Sequence, residues 1–225
     1  MISNPINENP STTSLKDRIY QEILFRILSN EFSLDTFLVE KKLCELFEVS
    51  RSPVREALVE LCRDGILKNI PRAGYQIVRI SEKQMRDAFQ IRLLLESEGL
   101  NLAFERLNDR SIATLKTIAN ESTRVLCEKS EISLMRRMNL NDDFHVMLCG
   151  FSGNALLSSY LSQTMRLLHR GMAQFMIEES QLPQSGHSIH HQVIEALEKR
   201  EKDLALRYLK EDIYSMEQKL WEVLT

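Results

Sequence analysis

Apolar residues recur every three or four positions along most of this chain, and the places where that period breaks mark its parts. From Ser14, Leu15, Ile19, Ile23 and Ile27 repeat at four-residue steps, with Leu24 and Leu28 widening the stripe, which predicts an amphipathic helix N-capped by Ser14. After a break over residues 30–36, Leu43, Leu46 and Phe47 mark a second, short helix. Ser50-Arg51-Ser52-Pro53 then opens a third, with Ser52 as the expected N-cap and Pro53 at the first helical position. Val54, Leu58, Leu61 and Cys62 form its buried face, and Asp64-Gly65 ends it. Next the period shortens. Residues 66–70 and 75–80 flank the turn Pro71-Arg72-Ala73-Gly74 and predict a small β-hairpin.

Ser81 begins a different pattern. With Gln84 three residues on it has capping-box spacing, and helical periods run over 82–107, 111–128, 131–150, 154–178, 187–199 and 201–224. Ser152-Gly153-Asn154, the stretch 181–186 with Pro183, and residues 199–202 separate them. In the last helix Leu206, Leu209, Ile213, Met216, Leu220 and Val223 step by threes and fours, the seam of an antiparallel bundle. The expected fold is mainly α: a flexible arm at 1–13, a winged helix-turn-helix at 14–80, and an all-α antiparallel helical bundle at 81–225.

Composition narrows the classes. A chain of 225 residues, 43% apolar and 27% charged, has the balance of a globular protein of one large or two modest domains. It has no apolar run of membrane-spanning length, no secretory pattern at its N-terminus, and no glycine-rich phosphate loop. Cys44, Cys62, Cys127 and Cys149 fit no zinc-binding spacing and read as reduced, buried thiols of a cytoplasmic protein. The net charge of −3 argues at first against nucleic acid, and residues 1–80 balance 11 Lys/Arg with 11 Asp/Glu. Placement says otherwise. In a helix-turn-helix the second helix enters the major groove N-terminus first, and here that end carries Ser50, Arg51, Ser52 and Arg55. The two guanidiniums, four residues apart, suit a guanine edge or phosphates, and the serines suit phosphate oxygens. Lys41 precedes them, and Arg72 and Gly74 sit at the wing tip. A solvated basic face on a structural unit is the competing reading, although arginines at a helix start favour an anionic partner.

VSRSPVREAL followed by ELCRDGILKNIPRAGYQIVRIS resembles the GntR family of bacterial transcription regulators. IRLLLE at 91–96 and FHVMLCGFSGN at 144–154 resemble its FadR-type (FCD) subfamily. The resemblance implies DNA contacts at Lys41, Ser50, Arg51, Ser52, Arg55, Arg72 and Gly74. The family's glycine turns after the first helix are replaced here by Asn30-Glu31-Phe32-Ser33 and Leu34-Asp35.

In the bundle, Asn141 and His145 stack at i, i+4. His190 shares an inward face with Ile194 and Leu197, and Asp212 borders the last helix's seam. Imidazoles and a carboxylate from separate helices suit a divalent transition metal. Many subfamily members bind a metal through one aspartate and three histidines. The resemblance maps those positions onto Asn141, His145, His190 and Asp212, implying a zinc- or nickel-type ion, with Asp142 beside them. A metal-free polar pocket with satisfied histidines is the alternative. Arg92 could grip an effector carboxylate, or merely pair with Glu96 at i, i+4. Arg166 is a further effector candidate, so the effector set is Arg92, Asn141, His145, Arg166 and His190. His169 and His187 remain surface or core polar residues, and Met165, Met172 and Met176 adaptable packing.

The resulting expectation is a dimeric repressor that binds an inverted-repeat operator and is released by a small carboxylate or sugar acid. A metal-dependent enzyme using His145, His190 and Asp212 is the alternative, without an HExxH motif, a nucleophile elbow or an identifiable general base to support it.

Overall fold

The computed structural model describes residues 14–29, 31–126, 131–175 and 186–224. The expected arm at 1–13, Asn30, Cys127, Met176, Pro183 and the break at 181–185 lie outside the described residues, as does the side chain of His187. The chain divides into two compact units, Met1–Arg79 and Ile80–Thr225.

In the first unit, α1 (Leu15–Leu28) begins at Ser14, whose hydroxyl accepts from the Asp17 amide while the Asp17 carboxylate accepts from the Ser14 amide. Ile19, Ile23 and Ile27 are buried, whereas Leu15, counted in the same stripe, is exposed. The helices α2 (Glu40–Phe47) and α3 (Arg51–Arg63) follow, then β2 (Leu67–Ile70) and β3 (Gly74–Ile77). Gly65 ends the α3 region at φ +67°, a conformation that disfavours side chains.

The hairpin has a partner the hydrophobic pattern did not announce. Phe37–Leu38 forms a strand, β1, giving the order β1-β3-β2 with all pairs antiparallel. Two residues are too few to show alternation, so tertiary pairing alone reveals it. β3 stops at Ile77, short of the expected Ile80, whose side chain is buried with Met85, Phe89, Leu168 and Met172. Ile23, Leu43, Phe47, Val54, Leu58, Leu61 and Tyr75 form the core of this unit.

The second unit comprises α4 (Glu82–Ala103) with a 3-10 turn at Phe104–Arg106, α5 (Asp109–Leu126), α6 (Glu131–Gly150), α7 (Ala155–Phe175), α8 (Gly186–Glu198) and α9 (Lys202–Leu224). Ser81 and Gln84 form the capping box read from sequence. Asn108 and Asn154 cap α5 and α7 by accepting from the Ser111 and Leu157 amides. Arg200, at φ +57°, donates to the free carbonyls of Phe104 and Leu107, closing the C-terminal end of the preceding turn. Gln174 on α7 pairs with both backbone groups of Ile80: it accepts from the amide at 2.9 Å and donates to the carbonyl at 2.8 Å. One apolar cluster joins Leu100, Leu115, Phe144, Val193 and Leu209, and a second joins Phe89, Leu161, Met165, Ile213 and Leu220. Among the described residues, no helix is long and apolar enough to cross a membrane.

Candidate functional site

The recognition-helix end differs in detail from its expectation. The N-cap is Ser50, in extended conformation and with no side-chain capping bond, so Arg51, Ser52 and Pro53 occupy the first turn. Proline is tolerated throughout that turn, where amides lack intrahelical partners, so Pro53 does not single out the first position. Ser52 instead donates to Glu56 at 2.8 Å. Arg51, Arg55, Arg72 and Lys41 are all exposed. Arg72 turns the wing tip at φ +68°, and Gly74 follows at φ +119°. A Cβ on Gly74 would stand 2.6 Å from the Leu38 carbonyl oxygen, so the wing lies against β1 only with glycine there.

The bundle holds the second group of functional candidates. Arg92, Glu96, His145, His190 and Asp212 come from α4, α6, α8 and α9 and are all fully buried. Arg92 Nε donates to Glu96 at 2.6 Å, the i, i+4 contact visible in sequence. Its burial is what the sequence did not reveal. Glu96 also takes the Nδ1 proton of His145 at 2.6 Å. Around His145 Nε2 lie Arg92 Nη2 at 2.9 Å, Asp212 Oδ2 at 3.0 Å and His190 Nε2 at 3.2 Å. Phe144 stacks on the His190 ring at 4.0 Å and meets His145 edge-on, fixing both imidazoles.

These groups balance one another. Burial alone would lower the His145 pKa, but the Glu96 charge and the hydrogen bonds to Asp212 and Glu96 raise it to about 9. Burial would likewise raise the carboxylates, yet His145 and Arg92 hold Glu96 below its usual value, and His145 and His190 hold Asp212 down. Burial pushes His190 down. At neutral pH two cations, Arg92 and His145, therefore face two carboxylates around a neutral His190. Because His145 is raised in the folded state, its contribution is complete below pH ~6.5 and is lost as pH rises through about 9. Thermal unfolding of the full chain should show the helical unit losing ~3 kcal/mol across that window. His145→Ala should start less stable and show a flat profile there.

Of the proposed metal donors, His145, His190 and Asp212 offer ligand atoms within 4.8 Å of one another. Donors bound to one zinc-type ion at ~2.1 Å stand roughly 3.3 Å apart, so this set, with His190 Nε2 and Asp212 Oδ2 3.8 Å apart, fits such an ion once Nε2 of His145 gives up its proton and the Arg92 guanidinium, 2.9 Å from that nitrogen, turns away. Asn141 is half-buried, and no hydrogen bond among the described residues joins it to the cluster. Arg166 departs from the expectation: Met165, Leu168 and His169 take the inward face of α7 and leave it exposed. His169, expected as a surface or core polar residue, is buried, with Nδ1 3.2 Å from Asp142 Oδ2.

Two family models match the chain: bacterial regulatory proteins of the gntR family over residues 15–77 and the FCD domain over residues 87–214. The uncharacterized HTH-type transcriptional regulator YdhC of Bacillus subtilis is 29% identical over 152 residues, covering 68% of this chain and 67% of its own. The gluconate operon transcriptional repressor of Bacillus licheniformis is 35% identical over 107 residues, 48% of this chain and 42% of the relative, so less than half of that protein is matched. The HTH-type transcriptional repressor RspR of Escherichia coli is 23% identical over 215 residues, 96% of this chain and 92% of its own. Among solved structures, E. coli McbR/YncC superposes with a TM-score of 0.79 at 21% identity over 95% of this chain and 100% of that one.

Proposed function

The chain belongs to the GntR family of bacterial regulatory proteins, with an FCD effector-binding domain, and on that premise we propose that it is a dimeric repressor released from an inverted-repeat operator by a small carboxylate or sugar acid. It is a DNA-binding transcription regulator and not an enzyme, which sets aside the metal-dependent enzyme as an alternative.

In this reading Arg51 and Arg55 read base edges, Lys41, Ser50 and Ser52 hold phosphates, and Arg72 and Gly74 bring the wing to the minor groove. Arg92, Asn141, His145 and His190 contact the effector, and Arg166, being exposed, is left out. His145, His190 and Asp212 would hold one zinc- or nickel-type ion, with Asn141 beside them, and the ion when bound supplies positive charge for an effector carboxylate. The observation that carries the effector site is the complete burial of Arg92, Glu96, His145, His190 and Asp212 in one cluster. Apolar residues of similar volume often serve stability as well, which favours a binding role for the cluster over a purely structural one. The names of the gluconate operon repressors, 35% and 37% identical over their matched stretches, support a sugar acid.

The dimer rests on a second apolar stripe on two adjoining helices, Ile91, Leu94 and Leu102 on α4 and Leu156 and Tyr160 on α7, all exposed. Binding at the cluster would bear on α4, whose first turn follows the Ile80 backbone that Gln174 holds. An effector acts only if it binds the DNA-competent and DNA-incompetent states unequally. The protein's place is the cytoplasm, where an operator is.

Duplexes selected from random DNA by the full chain should carry an inverted repeat and sediment with two chains each. Leu94→Glu should leave monomers that bind one half-site weakly. With metal content measured in parallel, a sugar acid at ~100 times its Kd should stabilise the chain by about 2.7 kcal/mol and lower operator affinity. Selected sites without symmetry, or an operator complex indifferent to every carboxylate tried, would reject this reading.

A further inference from the structure

The hydroxyl of Tyr75 and the carboxylate of Glu40 lie where the DNA-reading elements of the first unit meet. Strand β1 passes the chain to α2 within two residues: Leu38 pairs with Tyr75 across the sheet, and Glu40 already opens the helix. That short connection brings the Glu40 carboxylate to the tip of the tyrosine ring, whose hydroxyl donates to Oε1 at 3.2 Å. Lys41 is the next residue of α2. On the strand side Tyr75 directly follows Gly74, with Arg72 at the wing tip before it. The third element is α3. Burial raises the Tyr75 phenol, the Glu40 charge adds to the rise, and the Arg55 charge opposes it.

Two features ask for more than packing. The tyrosine is only 5% exposed, and phenylalanine would fill the same core without a hydroxyl to satisfy. A carboxylate next to Lys41 also opposes approach to phosphates unless it has other work. Countering the dipole of α2 is one such task, but it requires no tyrosine.

We propose that Tyr75 and Glu40 are positioning residues for operator reading, their hydrogen bond tying the wing to α2 so that Arg72 and Gly74 keep a fixed spacing from Lys41 and Arg55. The proposal rests on the reading of those four residues as DNA contacts. The bond adds no contact to DNA. It removes freedom that the wing would otherwise lose on binding.

The test uses the full chain, with Tyr75→Phe, Glu40→Gln and Glu40→Ala compared on the duplex selected by the wild type. Tyr75→Phe should keep the wild-type melting temperature and nonspecific affinity yet bind the operator about tenfold more weakly. Glu40→Gln, whose amide oxygen still accepts from the hydroxyl, should stay within about threefold of wild type. Glu40→Ala should match Tyr75→Phe, and the double variant should be no weaker than either. Wild-type affinity in Tyr75→Phe overturns the proposal. So does equal loss in Glu40→Gln and Glu40→Ala, which would assign the effect to charge, or tighter binding by Glu40→Ala, which would leave only repulsion. A wild type with no sequence-selective, salt-dependent binding would overturn the DNA-contact reading itself, and the proposal with it.

Discussion

Replacing Arg92 by leucine will cost the helical unit about 3–5 kcal/mol, measured by urea unfolding of the full chain and followed by the fluorescence of its single tryptophan, Trp221. Arg92 is 1% exposed and donates to Glu96 at 2.6 Å, with Asp212 at 3.6 Å. Leucine leaves two buried carboxylates facing one imidazolium, and removing one partner of a buried ionic set is far costlier than never having had the set. The companion experiment replaces Arg92, Glu96, His145 and Asp212 together by apolar residues of similar volume. That variant should recover most of the wild-type stability or exceed it, while losing every response to carboxylates and to zinc. A loss below about 1 kcal/mol in Arg92→Leu would show that water reaches the cluster and that its charges are not held as described.

The second large effect lies at the other end of the chain. Arg51→Ala and Arg55→Ala together should weaken binding to the selected operator by two to three orders of magnitude, since each bidentate base contact is worth about 1–3 kcal/mol. Both side chains are exposed, so the melting temperature should not move. Nonspecific DNA should be affected far less, and a log–log plot of affinity against salt should flatten by no more than about two counterions. Specific binding within threefold of wild type at physiological salt would remove the recognition helix from the mechanism. The neutral balance of residues 1–80 gives this experiment its contrast: with 11 basic and 11 acidic residues there is little diffuse attraction to mask the loss.

Much of the architecture was legible because it is written in short-range terms. The four-residue stripe of α1, the Ser14 and Ser81 caps and the glycine after α3 involve partners within a few positions, and each appears where the pattern placed it. Arg92 with Glu96 was visible as an i, i+4 pair for the same reason, whereas the same spacing of Asn141 and His145 carries no hydrogen bond between them among the described residues. The misreadings share a cause as well. Ser52 and Ser50 are both acceptable N-caps, and nothing local chooses between them. The strand Phe37–Leu38 exists only because β3 lies beside it. Arg166 sits one position from Met165, and which of the two faces inward depends on what α7 packs against.

By itself, then, the sequence determined the helices, the Ser14 and Ser81 caps, the hairpin and the arginines at the start of α3, because those follow from backbone periodicity and from contacts closed within one turn. It also supplied His190 as an inward-facing candidate, with His145 and Asp212 as further candidates beside it. Only the tertiary structure decided that Glu96 serves both Arg92 and His145, that His169 pairs with Asp142, and that Tyr75 reaches Glu40. Apart from the i, i+4 pair of Arg92 with Glu96, each of those contacts joins separate elements. Their distances are set by how helices and strands pack, and desolvation, which turns an ordinary ion pair into a committed one, does not exist until that packing has excluded water.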